Sequence, residues 1–155
     1  MVKGMTIKKI IEALQQAGTN VFNLYDDPDK EITENQRDPN QDGSYAIAVK
    51  ASVEADEENK NQSADQRKAN NCQDITLKER IFLELVYFLA TKKHLDEDNV
   101  TYCSGSRHRY GYVPNVAYLS GDRLVYVHWY YSDNYGDRLR ARSVSVLPSN
   151  QAKLA

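Results

Sequence analysis

The sequence predicts an α+β fold, with helices first and a small antiparallel sheet after them. Three observations carry this. Apolar residues at helical spacing occur only in the first hundred residues. Past the polar stretch HLDEDN (94–99) every apolar segment reads as strand. Glycines 105, 111, 121 and 136 punctuate those segments where tight turns are needed. The 155 residues suit a single domain spanning 1–155. Residues 1–100 form its helical and looped scaffold, and residues 101–147 its strands.

In chain order, Ile7, Ile10, Ile11 and Leu14 share one face of a helix running from Thr6 to Ala17. Thr6 is its N-cap and Gly18 its stop. A polar stretch with Pro28, Pro39 and Gly43 follows, full of turn residues. SYAIAVKASV (44–53) alternates like a strand. From Glu54 to Asp74 no aliphatic side chain larger than alanine appears, which predicts a solvated helix or long loop. TLKE (76–79) is a capping box opening the strongest helix. Its stripe is Leu77, Ile81, Leu85, Phe88 and Leu89, widened by Phe82 and Val86, and it should lie against a sheet. The helix ends near Thr91, where Lys92 and Lys93 suit the negative end of its dipole. The strands that follow are VTYCS, VPNVAYL, RLVYVHWYY and LRARSVSVL, a four-stranded meander, with SGD (120–122) as a hairpin connector.

Net charge is −2, but unevenly spread. Residues 1–101 carry 13 basic against 19 acidic side chains, whereas residues 102–142 carry six arginines against three aspartates. A modest positive patch without lysine fits a protein-binding or mixed surface better than a nucleic-acid stripe. Two cysteines, Cys72 and Cys103, make no disulfide framework or zinc motif, and two unpaired thiols are the expectation. The longest apolar run, IFLELVYFLA, is interrupted by Glu84 and about half of what a bilayer requires. No membrane insertion is expected. No targeting segment is visible, so the expected setting is the cytoplasm, or a virion or other large assembly that carries the protein.

The tyrosines are the anomaly. Eight of eleven lie between Tyr102 and Tyr135, while no phenylalanine follows Phe88. A core would draw on phenylalanine as freely. In RLVYVHWYY the period of two turns Val125, Val127 and Trp129 one way and Tyr126, His128 and Tyr130 the other. The first set is the core candidate and the second an accessible face. Tyr118 on the preceding strand and Tyr110 and Tyr112 in the loop before it are expected to join that face, with Tyr131, Asn134 and Tyr135 beyond it. Cross-strand tyrosines that merely brace a hairpin, worth about 0.2–1 kcal/mol per pair, would account for one or two of these. Loop tyrosines among Ser, Asn, Asp and His have the composition of a recognition surface, where stiff amphipathic rings and short polar groups combine.

CSGSR, GYVPNV, LVYVHW and LRARSVSV, between Thr101 and Leu147, resemble the fixed framework of the variable region of diversity-generating retroelement proteins. The last strands are also similar to the ends of formylglycine-generating-enzyme-type lectin domains. The resemblance implies a C-type-lectin-like domain, two main helices preceding and packing on the sheet, that displays diversified residues. In such systems template adenines are mutagenised, which yields Tyr, Asn, Ser, Asp and His codons. By match, the variable, ligand-binding positions would be Tyr110, Tyr112, Asn115, Ala117, Tyr118, Tyr126, His128, Tyr130, Tyr131, Asn134, Tyr135 and Asp137. The implied partner is a protein or other macromolecular target. The resemblance covers about a third of the chain.

Other chemistry finds little footing. VPN (113–115) lacks the acid that calcium-dependent sugar binding needs, so no metal and no cofactor are expected. Cys72 in a polar linker and Cys103 in a strand do not form a reactive pair for formylglycine-type oxidation. His94, His108 and His128 have no metal spacing. The acidic clusters at 26–31 and 96–98 read as solvated loops. No nucleophile elbow or phosphate-cradling loop is present, and no enzyme is expected. The rival reading is a single-stranded nucleic-acid-binding module using Arg107, Arg109, Arg123, Arg138, Arg140 and Arg142 among the tyrosines. A third is a subunit whose tyrosine face is an obligate oligomer contact.

Overall fold

A computed structural model describes residues 1–148. The chain runs α1 (Ile7–Gln16), β1 (Asn20–Asn23), α2 (Pro28–Glu31), β2 (Ile32–Asn35), α3 (Pro39–Asp42) and β3 (Ile47–Ala48). A 3₁₀ turn (Glu57–Asn59), α4 (Ala64–Ala69) and α5 (Leu77–Thr91) follow. The remaining strands are β4 (Val100–Tyr102), β5 (Ser106–His108), β6 (Val113–Leu119), β7 (Leu124–Tyr130), β8 (Leu139–Arg140) and β9 (Ser145–Val146). This is an α+β arrangement.

The helices form as their signals require. The Thr6 side chain accepts the Lys9 amide, and Gly18 sits at φ +101°, where any other residue would be strained. The Asp29 carboxylate takes two further amides at the α1 N-terminus, from Ile7 at 2.8 Å and Lys8 at 3.0 Å. Thr76 and Glu79 close the capping box of α5, and Lys92 ends that helix in the left-handed conformation. Ile7, Ile10 and Leu14 of α1 meet Leu77 and Ile81 of α5 in the main core. The apolar stripe of α5 is buried only in its first half. Leu77 and Ile81 are sealed, while Val86 and Leu89 stand exposed.

The sheet differs from the expected meander. It has five strands in the order β1-β7-β6-β4-β8, and both edge strands run parallel to their neighbours. The β6/β7 hairpin is antiparallel as predicted, with seven pairs from Val113↔Tyr130 to Leu119↔Leu124. β1 comes from the scaffold half of the chain, and its four residues were too short a pattern to read as a strand. The run expected over 44–53 contributes only β3, which pairs with β9. LRARSVSVL breaks into β8 and β9 because Ala141 and Arg142 turn inward between them, buried to 0% and 1% exposure.

Two stretches expected to be solvated are largely exposed or half-buried but are anchored by a few buried residues with polar contacts. Within 54–74, Arg67 makes a two-pronged ion pair with Asp74 (2.8 and 2.7 Å) and donates to Asn59 at 2.9 Å. Arg37 likewise clamps Glu79. In the 94–99 turn, Asp96 is fully buried. Its carboxylate accepts from Arg80 of α5 (2.8 Å), Arg142 (2.8 Å), the Ala55 amide (2.8 Å) and the Thr101 hydroxyl. Arg80 also reaches Glu84 at 2.8 Å, and Glu84 meets His94 Nδ1 at 2.8 Å. Fully paired buried arginines take the place of the large aliphatics that the 54–74 segment lacks.

Removing one partner from such a cluster strands the others in a medium that cannot solvate them. Asp96→Ala should therefore lower unfolding free energy by about 3–5 kcal/mol, read from urea denaturation. Burial alone would raise the Glu84 carboxyl, but the Arg80 guanidinium and the His94 hydrogen bond outweigh it and hold it below its ordinary value of 4.5. Its stabilising share is complete above that value and disappears as pH falls through the depressed native one. Glu84→Gln, less stable near neutrality, should lose less stability than the parent on acidification below about pH 4.5.

Candidate functional site: an aromatic sheet face

The register of the sheet decides which rings meet. Directly paired antiparallel residues share a face, so Tyr126, His128 and Tyr130 lie on the face that also carries Ala117, Asn115 and Val113. Val125, Val127 and Trp129 share the other with Tyr118, Val116 and Pro114. That second face packs on α1 and α5. Tyr126, His128 and Tyr130 therefore point away from both long helices. Tyr126 and His128 are half-buried and Tyr130 is 38% exposed.

A row of rings results. Phe22 of β1 stacks on Tyr126 (5.3 Å between centroids, 13° between planes), and Tyr126 on His128 (5.3 Å, 18°). Tyr130 continues the row, tilted by 60° at 5.6 Å. The first two contacts are offset-stacked and the third is tilted, so Tyr126 has a ring stacked on either side. The ends of the row are the more open, Phe22 at 47% and Tyr130 at 38% exposure, with Tyr126 and His128 half-buried between them. Phe22 belongs to this row although sequence reasoning assigned it no role. Its only signal is the parity of N-V-F-N, which acquires meaning once β1 is known to pair with β7.

A second cluster wraps the end of the sheet. Tyr112 stacks on Trp129 (4.1 Å, 14°) and on the buried His108 (5.6 Å), and Tyr131 meets both Tyr112 and Trp129 edge-on. Tyr110 is 72% exposed beside the Arg109 guanidinium. Beyond β7, Tyr131 and Tyr135 are 56% and 72% exposed, Asn134 is half-buried and Asp137 is exposed. This loop is not loose. The Tyr131 carbonyl accepts the Tyr102 hydroxyl, Ser132 bonds Asp65, and Asp137 accepts from Asn61 at 2.6 Å. The polar 54–74 segment is thus the floor that fixes the tyrosine loop.

Three of the twelve predicted positions are placed otherwise. Tyr118 sits on the helix-facing side, its ring 3.8 Å from that of His94, because its partner across the hairpin is Val125. V-P-N-V-A-Y-L carries valines at both parities, so the sequence could not say which set faced inward. Asn115 and Ala117 are on the aromatic face but only 3% and 7% exposed. Asn115 lies between Tyr102 and His128, and Ala117 opposite Tyr126, so larger neighbours close over both. The Asn115 Nδ2 has no hydrogen-bond partner within this cover. Tyr112, half-buried and stacked on both sides, is as much a support as a contact.

The arginines divide in a similar way. Arg107 and Arg142 are buried, the first donating to the Ser104 and Ser106 carbonyls and the second to Asp96. Arg138 and Arg140 donate to the Asp98 and Asp137 carbonyls. Only Arg109 and Arg123 of the six stand exposed without such a bond among the described residues. Both cysteines are free; Cys103 is sealed, and burial pushes its thiol up. Among the described residues no cluster of His, Cys, Asp or Glu is arranged to hold a metal ion, and no helix is long and apolar enough to cross a membrane.

Comparison of the chain with protein-family models, curated proteins and solved structures yields no match. The fold and site on their own terms define an α+β protein with an outward aromatic face on a buried-arginine scaffold.

The two faces should respond oppositely to substitution. Tyr130→Ser and Tyr135→Ser should shift unfolding free energy by no more than about 0.5 kcal/mol. Val127→Ala, at a sealed core position, should cost roughly 2–3 kcal/mol in the same denaturation assay.

Proposed function

We propose that the protein is a non-enzymatic recognition module. Its tyrosine-rich surface binds a protein or other macromolecular target, as one member of a diversified repertoire of the retroelement variable-protein kind on a C-type-lectin-like fold. The observation that carries this reading is the position of Tyr126, His128 and Tyr130 on the sheet face turned away from α1 and α5, beside the exposed Tyr131 and Tyr135. Their backbones are fixed by ladder bonds on one strand and by ties to α4 in the loop, so side chains there can vary while the frame stays constant. Ten of the twelve proposed positions retain access to solvent, Tyr118 among them although on the helix-facing side; Asn115 and Ala117 are covered and contribute from beneath.

Single-stranded nucleic acid is the weaker partner. Base stacking needs free ring faces, and here the inner rings cover one another. Two of the six arginines invoked for phosphate neutralisation are buried.

Sequencing this gene from related isolates, with its flanking locus, tests the proposal. The expected result is substitution concentrated at adenine-containing codons for Tyr110, Tyr126, His128, Tyr130, Tyr131 and Tyr135, with a near-copy repeat and a reverse transcriptase nearby. Differences spread evenly over all 155 codons would refute it.

A further inference from the structure

The outer face of α5 is an apolar feature that the aromatic site does not use. Between Ile81 and Ala90 the helix carries one charge, Glu84, and that side chain is turned inward at 0% exposure. Val86 and Leu89 are 47% and 55% exposed. Grooves flank this ridge on both sides. One runs against α1, lined by Met5, Ala13, Phe82 and Leu85 together with Lys3 and Lys9. The other runs against the segment around β3, lined by Ile47, Val49, Leu83, Val86 and, further along, Tyr87 and Val53.

We infer that α5 is the contact through which two copies of this chain form a two-fold dimer, with the aromatic faces directed outward from it. A ridge between two grooves is self-complementary: each α5 ridge can enter a groove of the other copy. A two-fold axis places identical residues against one another, so any exposed charge near it would repel its own copy. The exposed ridge of α5 from Val86 to Ala90 has none; Lys3, Lys9 and Lys50 belong to the flanking grooves. The ends add complementarity. Lys92 and Lys93 are exposed at the C-terminus of α5 and make no ion pair among the described residues, whereas Asp42 of α3 is exposed near its N-terminus, where Lys78 pairs with Asp38. Antiparallel packing of two α5 helices brings each lysine pair toward the other copy's α3. The extent also fits. A helix of 15 residues is about 22 Å long. With a groove on either flank, that length can lie along an equal length of the other copy's α5.

Sedimentation equilibrium of the whole chain over the micromolar range is the test. The expected species approaches twice 17.7 kDa as concentration rises. Val86→Glu combined with Leu89→Glu should return it to 17.7 kDa with an unchanged circular dichroism spectrum, since both positions are exposed. Tyr126→Ala combined with His128→Ala should leave the dimer intact. In a Cys72→Ser background, Val86→Cys should form an intermolecular disulfide on oxidation. A single 17.7 kDa species at every concentration would overturn the inference, as would a dimer that survives the glutamates or dissolves with the tyrosine-face pair. A dimer without the Val86→Cys cross-link would overturn the two-fold through Val86.

Discussion

The carboxylate of Asp96 binds together parts of the chain that have no other reason to meet. Both of its oxygens and its backbone are engaged. The side chain joins α5 through Arg80, the C-terminal segment through Arg142, β4 through Thr101 and the 53–56 loop through the Ala55 amide. Its own carbonyl accepts the Tyr118 amide of β6. Asp96 adopts φ +57°, a conformation that aspartate tolerates better than most residues. A buried ion cluster need not be more stable than an apolar one of equal shape, but it is far less tolerant of alternative arrangements. Here that intolerance fixes the distance from α5 to β4, and hence the plane of the sheet on which the aromatic row stands.

That arrangement explains how a chain of this size can leave so many large rings outside. The helix-facing core is compact, built from α1, the first half of α5 and the inward valines of β6 and β7. On the other side of the sheet, the 54–74 segment is held by Arg67, Asp74 and Asn59 rather than by aliphatics, with a small satellite core around Ala64, Tyr102, Val113 and Leu139. Hydrogen-bonded arginine heads and carbonyls make a directional floor. The loop from Tyr131 to Asp137 is tied to it through Ser132 and Asp137. Tyr131 and Tyr135 therefore project from a braced loop.

Periodicity made the helices and the β6/β7 hairpin legible, because Ile7-Ile10-Leu14 and Val125-Val127-Trp129 each obey a single period over several turns or pleats. The inward and outward sets of β7 could be read for the same reason. What escaped was set by long-range partners. β1 is four residues long and is a strand only because β7 lies beside it. Asp96 looks like one acid among three in a polar turn until Arg80 and Arg142 arrive from 16 residues before and 46 after. Tyr118 could not be assigned a face because Val113 and Val116 sit at opposite parities of the same strand. Local pattern cannot distinguish a solvated charge from a paired one, since the difference lies entirely in what is brought opposite.

The aromatic row also bears on what kind of surface this is. Rings that stack on one another have already lost much of their rotational freedom before any partner arrives. Binding through them then forfeits less entropy than binding through isolated side chains. The same stacking makes neighbouring positions interdependent. Tyr126 touches Phe22 on one side and His128 on the other, so replacing it alters the support of both. Tyr110 and Tyr135, more exposed and farther from the strand, carry no such obligation toward the row. Substitutions there should combine additively, whereas those at Tyr126 and His128 should not, because additivity fails for groups in contact. A surface built this way joins a preorganised centre to an independent periphery, and under the proposed recognition function a change of partner would be reached most readily through the periphery.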